Sequence, residues 1–376
     1  MVAANQSLGE YGNLEAFYQF KWEPTPIEAG CGNYWAVAQG NIAASPGACS
    51  NATAVGTSTP NGFATGNYVT TVDGKEAKDQ GQFGLAYRFN AEALDTEFGL
   101  YAMNIHARTP VFSLKYKDGN FAGTNFPLAT YWEYPEDMQV YGVSAATNIK
   151  GWSVTGELSQ TKNFRAQLDG NDMFNGSFGA GPLAGVAAPD VASHGSLHGG
   201  VKTNKNQFQI SALQAGNGIL SAAQWLAVAE VGYQWNSLDL DGVARFNRPF
   251  IFGSGPDASY GGNTCATNVS TDGCSKNKGY VTQSSWGYRL LGQLTYNNVF
   301  GSSITAYPRV FWSQDVRGYA VDGAFVEDRT TLGLGVKFSY AKQYTLDLGY
   351  TRYGNGAEFD PLRDRDHFTA TLAVTF

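Results

Sequence analysis

Apolar and polar residues alternate singly through the last ten residues, His367–Phe376. Phe368, Ala370, Leu372, Val374 and Phe376 fall on one face of an extended segment, and Thr369, Thr371, Ala373 and Thr375 on the other, because side chains alternate with a period of two along a strand. The pattern recurs upstream. On Thr330–Tyr340, Leu332, Leu334, Val336, Phe338 and Tyr340 oppose Thr331, Gly333, Gly335, Lys337 and Ser339. On Gln343–Tyr353, Tyr344, Leu346, Leu348 and Tyr350 oppose Thr345, Asp347, Gly349 and Thr351. On Gln224–Asn236, Trp225, Ala227, Ala229, Val231, Tyr233 and Trp235 oppose Glu230, Gly232, Gln234 and Asn236.

The pattern predicts about twelve strands: Asn13–Trp22, Gly81–Asn90, Glu97–Ala107, Met138–Asn148, Trp152–Gln160, Asn204–Ala215, Gln224–Asn236, Ser285–Tyr296, Ser303–Ser313, Thr330–Tyr340, Gln343–Tyr353 and His367–Phe376. Their connections alternate short and long. "AEALD", "IKG", "GNGILSAA", "NNVFGS" and "AKQ" are short, whereas 23–80, 108–137, 161–203, 237–284, 314–329 and 354–366 are long polar runs. That rhythm predicts an all-β chain, a transmembrane antiparallel up-and-down β-barrel with short periplasmic turns and long extracellular loops. An even count would put both termini on the periplasmic rim. Closure leaves no unpaired edge in lipid, so the last strand is expected to pair with the first or with one upstream of it. The whole chain, 1–376, reads as one barrel domain.

Composition moves the reading away from a soluble sandwich. Hydrophobic residues make up 43%, aromatics 14% and charged residues 15%, with 46 glycines in 376 residues; soluble domains carry roughly 25% charge. No run of about 18 apolar residues exists to form a transmembrane helix. Aromatics gather at the strand ends, as interfacial girdles require. The net charge is −7, without a basic patch interleaved with aromatics, so nucleic acid is not an expected partner. Cys31/Cys49 and Cys265/Cys274 form two close pairs in Gly/Asn/Ser/Thr-rich stretches. Two loop-closing disulfides in an oxidising compartment are expected.

If the apolar faces meet lipid, the opposite faces line a lumen. The inward candidates are Glu15, Gln19, Lys21, Arg88, Asn104, His106, Arg108, Glu157, Lys205, Glu230, Arg289, Arg309, Lys337 and Asp347. Charges of both signs in such a tube either brace the wall as pairs or set a field for solutes. On Glu97–Ala107 either face is defensible, and the inward choice groups Asn104, His106 and Arg108. No G-x-S-x-G, P-loop or dinucleotide fingerprint is present, so neither an enzyme nor a cofactor is expected. His194 and His198 have i, i+4 spacing but sit in a Gly/Ser loop, so no metal is expected there. Asp360, Asp364 and Asp366 in "FDPLRDRD" lack regular calcium-ligand spacing, and pairing with Arg363 and Arg365 is expected instead.

Four blocks, "NLEAFYQFKWEPTPIEAGCGNYW" (13–35), "YPEDMQVYGVSAATNIKGWSVTGELSQ" (134–160), "WLAVAEVGYQW" (225–235) and "YPRVFWSQDVRGYA" (307–320), resemble a large proteobacterial outer-membrane family labelled a domain of unknown function. The resemblance spans essentially the whole chain. It implies a bacterial outer-membrane barrel, and a chain corresponding to the C-terminal part of a longer protein, with more strands possible in the full length. It also implies genomic neighbours of the RND-superfamily lipid-exporting type. From that follows the expectation of an outer-membrane transport protein, a conduit or acceptor for lipid-like molecules working with a periplasmic or inner-membrane exporter. Outer-membrane lipid or lipopolysaccharide and the barrel assembly machinery are the other expected partners. A porin for small hydrophilic solutes, and a barrel anchoring surface-interaction loops, are the competing expectations.

Overall fold

The structure, a computed structural model, describes residues 1–25, 52–54, 64–185, 195–257 and 276–375. Alternating segments pair only with sequence neighbours, so the architecture is a transmembrane-type, all-β, antiparallel up-and-down barrel wall. Its thirteen strands are β1 (Val2–Ser7), β2 (Asn13–Gln19), β5 (Gln82–Ala91), β6 (Thr96–Ile105), β9 (Met138–Ile149), β10 (Trp152–Gln167), β12 (Gly200–Gly216), β13 (Gln224–Asn236), β14 (Ser284–Val299), β15 (Ile304–Arg317), β16 (Thr330–Tyr340), β17 (Tyr344–Tyr353) and β18 (His367–Val374). All twelve expected strands are present. The additional one, β1, reads "VAANQS" and has almost no apolar alternation. It pairs with β2 through the Ser7↔Asn13 register.

The extra strand changes where the described chain begins. Met1 stands on the long-loop rim beside Gln19, while Thr375 ends at the short-turn rim. The expectation of both ends on one rim is therefore corrected. β1 and β18 run in the same direction, and among the described residues each is paired on one side only. β2, the first of the expected strands, is already paired on both sides, with β1 and β5, which corrects the expected pairing of the last strand with it; a pairing of β18 with a strand upstream of β2 is not seen among the described residues.

The two faces follow the sequence alternation. Leu85, Val231, Leu334, Leu346 and Leu372 point away from the lumen and remain 52, 40, 47, 39 and 74% exposed. Apolar side chains this exposed are what lipid contact requires, and a sandwich interior would bury them. Among the described residues no helix is long and apolar enough to cross a membrane.

The compact hydrophobic core lies elsewhere. Five strands, β3 (Ala52–Ala54), β4 (Tyr68–Thr71), β7 (Val111–Tyr116), β8 (Leu128–Glu133) and β11 (Ser196–Leu197), form a second sheet within the long connections. With helix α1 (Gly170–Ser177) they pack Val69, Phe112, Leu114, Leu128, Met173 and Leu183 into one buried cluster. The runs that read as polar loops fold into a cap over one rim. Small clusters of apolar residues inside polar sequence are enough, because five of the long connections share one core.

Candidate functional site at the mouth of the lumen

The inward face carries alternating charged and apolar steps. Glu230 stands opposite Arg289 across β13 and β14 and accepts a hydrogen bond from Gln209 Nε2 at 2.8 Å. Arg289 donates to Asp315 at 3.1 Å. One step nearer the short turns, Val228, Leu291 and Phe311 face one another in register. The next step is ionic again, with Arg309 donating two bonds to Asp347, at 2.7 and 3.1 Å. Arg309 reaches over β16 at Gly335, where a Cβ would lie 2.8 Å from the guanidinium carbon. Lys337 is opposite Asp347, with its ammonium 4.7 Å from the Tyr307 ring. Glu15 and Arg88 pair at 2.8 Å, and Arg88 also donates to the Tyr101 hydroxyl at 3.4 Å. Pairing lowers the cost of holding charge in a confined tube, so most inward charges brace the wall. Glu157 makes no ion pair among the described residues and faces Ser144 and Gln209.

The connection between β15 and β16, residues 318–329, folds inward over this lumen. Asp322 is its anchor: it accepts from Lys205 Nζ at 2.7 Å and from Gln234 Nε2 at 3.1 and 3.2 Å. Burial alone would raise the Asp322 carboxyl, but the Lys205 charge and these bonds outweigh it and hold it below its ordinary value. Three residues on, Phe325 lies against Gly232, where a Cβ would stand 3.0 Å from the ring, and its ring is 5.5 Å from the Arg289 guanidinium. Val326 N–H then donates to Asp315 at 3.1 Å. The loop is thus tied to four consecutive wall strands, β12 to β15, at and just above the Glu230–Arg289 step.

Beside it lies a chamber of about 550 Å³, bounded by Phe17, Ile105, Met138, Phe164 and Val321 with Gln19, Arg108, Arg165 and Asp322. A second cavity of about 420 Å³ sits higher, among Phe112, Leu168, Phe250, Phe325, Val326 and Phe359. The cap around it is polar at its centre. Arg245 clamps Asp172 at 2.6 and 2.7 Å, and Tyr280 lies 4.6 Å from Arg245 and 5.3 Å from Arg248. Asp169 N-caps α1 by accepting from Asp172 N–H at 3.0 Å. Complete burial, with the Asp172 charge beside it, pushes the Asp169 carboxyl well above its ordinary value. The same burial and carboxylates raise the Tyr280 phenol.

Other candidates are placed differently from the sequence reading. Asn104 is on the outward face, opposite Phe83, because Tyr101 and Met103 take the inward side of β6. It donates to Gly81 O and Asp137 at the rim. His106 lies beyond the strand end, 2% exposed, with Nε2 2.8 Å from Gln80 O and Nδ1 accepting from Asp137 N–H. Lys21 is a rim residue paired with Glu23 at 2.7 Å, and Arg108 donates to Gln19 at 3.1 Å. Asp360 is held by Arg329 at 2.8 and 2.9 Å, while Asp364 pairs with Arg365 at 3.3 Å and Asp366 accepts from Tyr353 N–H. His198 contacts Glu133 at 2.7 Å. Cys31, Cys49, Cys265, Cys274 and His194 lie outside the described residues.

A family described as a protein of unknown function, DUF1302, matches residues 1–376. The chain belongs to the DUF1302 family. No curated protein matches it. Among solved structures, the β domain of the Bordetella autotransporter BrkA is similar at 13% identity, covering 78% of this chain and 89% of that one with a TM-score of 0.24. Within the DUF1302 chain, sequence reading missed the lumen-facing residues of the infolded loop, Asp322 and Phe325. One signal pointed to them: "VDGAF" sets an acid and an aromatic three residues apart in a run otherwise read as solvated. Inward Gly232, facing no obvious turn, was the complementary sign.

Proposed function

We propose that this protein is an outer-membrane transport barrel for amphipathic or lipid-like molecules, working without catalysis of its own alongside an inner-membrane exporter. The observation that carries the reading is the chamber of about 550 Å³ at the lumen mouth. Its wall joins an apolar patch, Phe17, Ile105, Met138 and Phe164, to polar groups of opposite charge, Arg108 and Asp322. Ligand sites of 300–1,000 Å³ with an apolar body and a few polar groups suit molecules of fatty-acid or lipid size. The Val228–Leu291–Phe311 step continues apolar surface below it, and the exporter is proposed from the genomic neighbours that the sequence resemblance implies. The test is binding of a fluorescent long-chain fatty acid to the purified, folded barrel. Phe164→Asp is expected to weaken binding at least about tenfold, since a carboxylate in the apolar wall must be desolvated. Unchanged binding in that variant would remove the proposal.

A porin is the second reading, favoured by the ionic steps Glu230–Arg289 and Arg309–Asp347. A large, steady, salt-filled conductance of the unaltered protein in planar bilayers would favour it over the first.

A further inference from the structure

We propose that the outward face of β10 and β12 at the long-loop rim is a binding site for a phosphorylated lipid of the outer leaflet. The inference uses the bilayer position of the wall and not the transport role.

The site is built by a β-bulge. Pairing of β10 with β12 shifts register between Thr161 and Phe164, with Asn163 in the left-handed region at φ 58°. A bulge inserts one residue and re-aims the side chains that follow. Before it, Lys162 points outward, its ammonium 5.4 Å from the outward Tyr141 ring. After it, Arg165 stands opposite Lys202. Lys202 lies on the outward parity of β12, since Lys205 three residues on reaches inward to Asp322. Lys162 and Arg165 would take opposite faces in a regular strand; the bulge puts both with Lys202 on the lipid side.

These three cations have no carboxylate partner among the described residues. Three acids, Glu133, Glu136 and Asp137, line the neighbouring recess, and each has its own cation: Glu133 has His198 at 2.7 Å and Lys75 at 3.8 Å, and Lys78 serves Glu136 at 3.7 Å and Asp137 at 2.6 Å. Arg165 and Lys202 border a polar recess of about 400 Å³, wide enough for a sugar phosphate. Below Lys162, a groove of about 780 Å³ runs over Tyr141, Val143, Leu158, Leu100 and Leu85, with its upper edge fixed by the 2.8 Å Gln160–Asn206 hydrogen bond. Cations above an apolar groove, at the level where a wall leaves the bilayer, complement an anionic headgroup with acyl chains beneath it. A protein partner would need a flatter and less charged surface.

The full, folded chain is reconstituted in phosphatidylcholine nanodiscs containing a trace of bisphosphorylated lipid A, or the dephosphorylated lipid with the same acyl chains. It is then released in mild detergent, and bound lipid is counted by native mass spectrometry. The unaltered protein should retain the phosphorylated lipid at least about tenfold more than the dephosphorylated one, since three surface cations at roughly fivefold each set an upper bound of about a hundredfold. The triple variant Lys162→Gln, Arg165→Gln, Lys202→Gln should lose that preference while keeping the heat-dependent gel mobility of a folded barrel. Equal retention of both lipids by the unaltered protein overturns the proposal whether or not the variant folds. Displacement of the lipid by inorganic phosphate alone would also overturn it, reducing the site to one for anions.

Discussion

Removing Asp322 should release the infolded loop. Its carboxylate is the acceptor for Lys205 and Gln234, and the Asp322 and Lys205 side chains are 24 and 20% exposed. Losing hydrogen bonds to a charged group costs about 1.5–3 kcal/mol; breaking a fully buried pair would cost about 3–5 kcal/mol. Lys205 retains some water and the Phe164 ring at 5.4 Å, so the lower range applies, roughly 2 kcal/mol for Asp322→Ala. That corresponds to about a thirtyfold shift from the folded-in to the folded-out loop, at about 1.4 kcal/mol per factor of ten. Phe325 is 7% exposed, and Phe325→Ala should cost about 3 kcal/mol in lost packing against Gly232, a larger shift. Planar-bilayer recording reads the effect as time spent in a higher-conductance state. A Gln209→Cys reporter below the loop, in a background with the native cysteines replaced by serine, reads it as the rate of modification by an impermeant thiol reagent. Both should rise in the order Asp322→Ala, then Phe325→Ala. The reversed pair Lys205→Asp with Asp322→Lys should restore values near the starting protein. Folded variants with unchanged conductance and unchanged modification rate would refute a lumen-closing role for residues 318–329.

Three further outcomes are expected. Arg245→Met leaves Asp172, 0% exposed on its side chain, buried without its cation next to Asp169; the cap should lose about 3–5 kcal/mol, seen as faster proteolysis of the loops while the wall stays resistant. Asp169 binds its proton more tightly in the folded cap than in the unfolded chain, because burial and Asp172 raise it. Cap stability should therefore fall as pH rises from the ordinary carboxylate value to the raised folded one. Asp169→Asn keeps the N-cap acceptor and should flatten that slope in denaturant titrations monitored by cap fluorescence. Arg289→Glu places a second acid opposite Glu230 and beside Asp315; if ions pass this step, the reversal potential should move towards cation selectivity, and an unmoved potential would show that the step lies off the ion path.

Period-two alternation was legible wherever a strand is oily on one side and wet on the other. Gln224–Asn236 and Thr330–Tyr340 match their sequence boundaries residue for residue, since lipid and lumen impose opposite chemistry on successive positions. β1 escaped notice because Val2–Ser7 has too few apolar side chains to show a face, and its place comes from pairing with β2. The β6 face was ambiguous because Asn104 sits where the outward surface turns polar at the rim, so polarity no longer marks the lumen. Pairings such as Arg309–Asp347, and the Asp322–Lys205 tie spanning 117 positions, join residues far apart in sequence. No local pattern encodes them. The sequence by itself determined a membrane-facing strand wall with long connections on one rim, because the bilayer acts on each residue locally. Only the tertiary structure decided that those connections share a hydrophobic core and that one of them turns into the lumen, because that depends on which distant side chains meet.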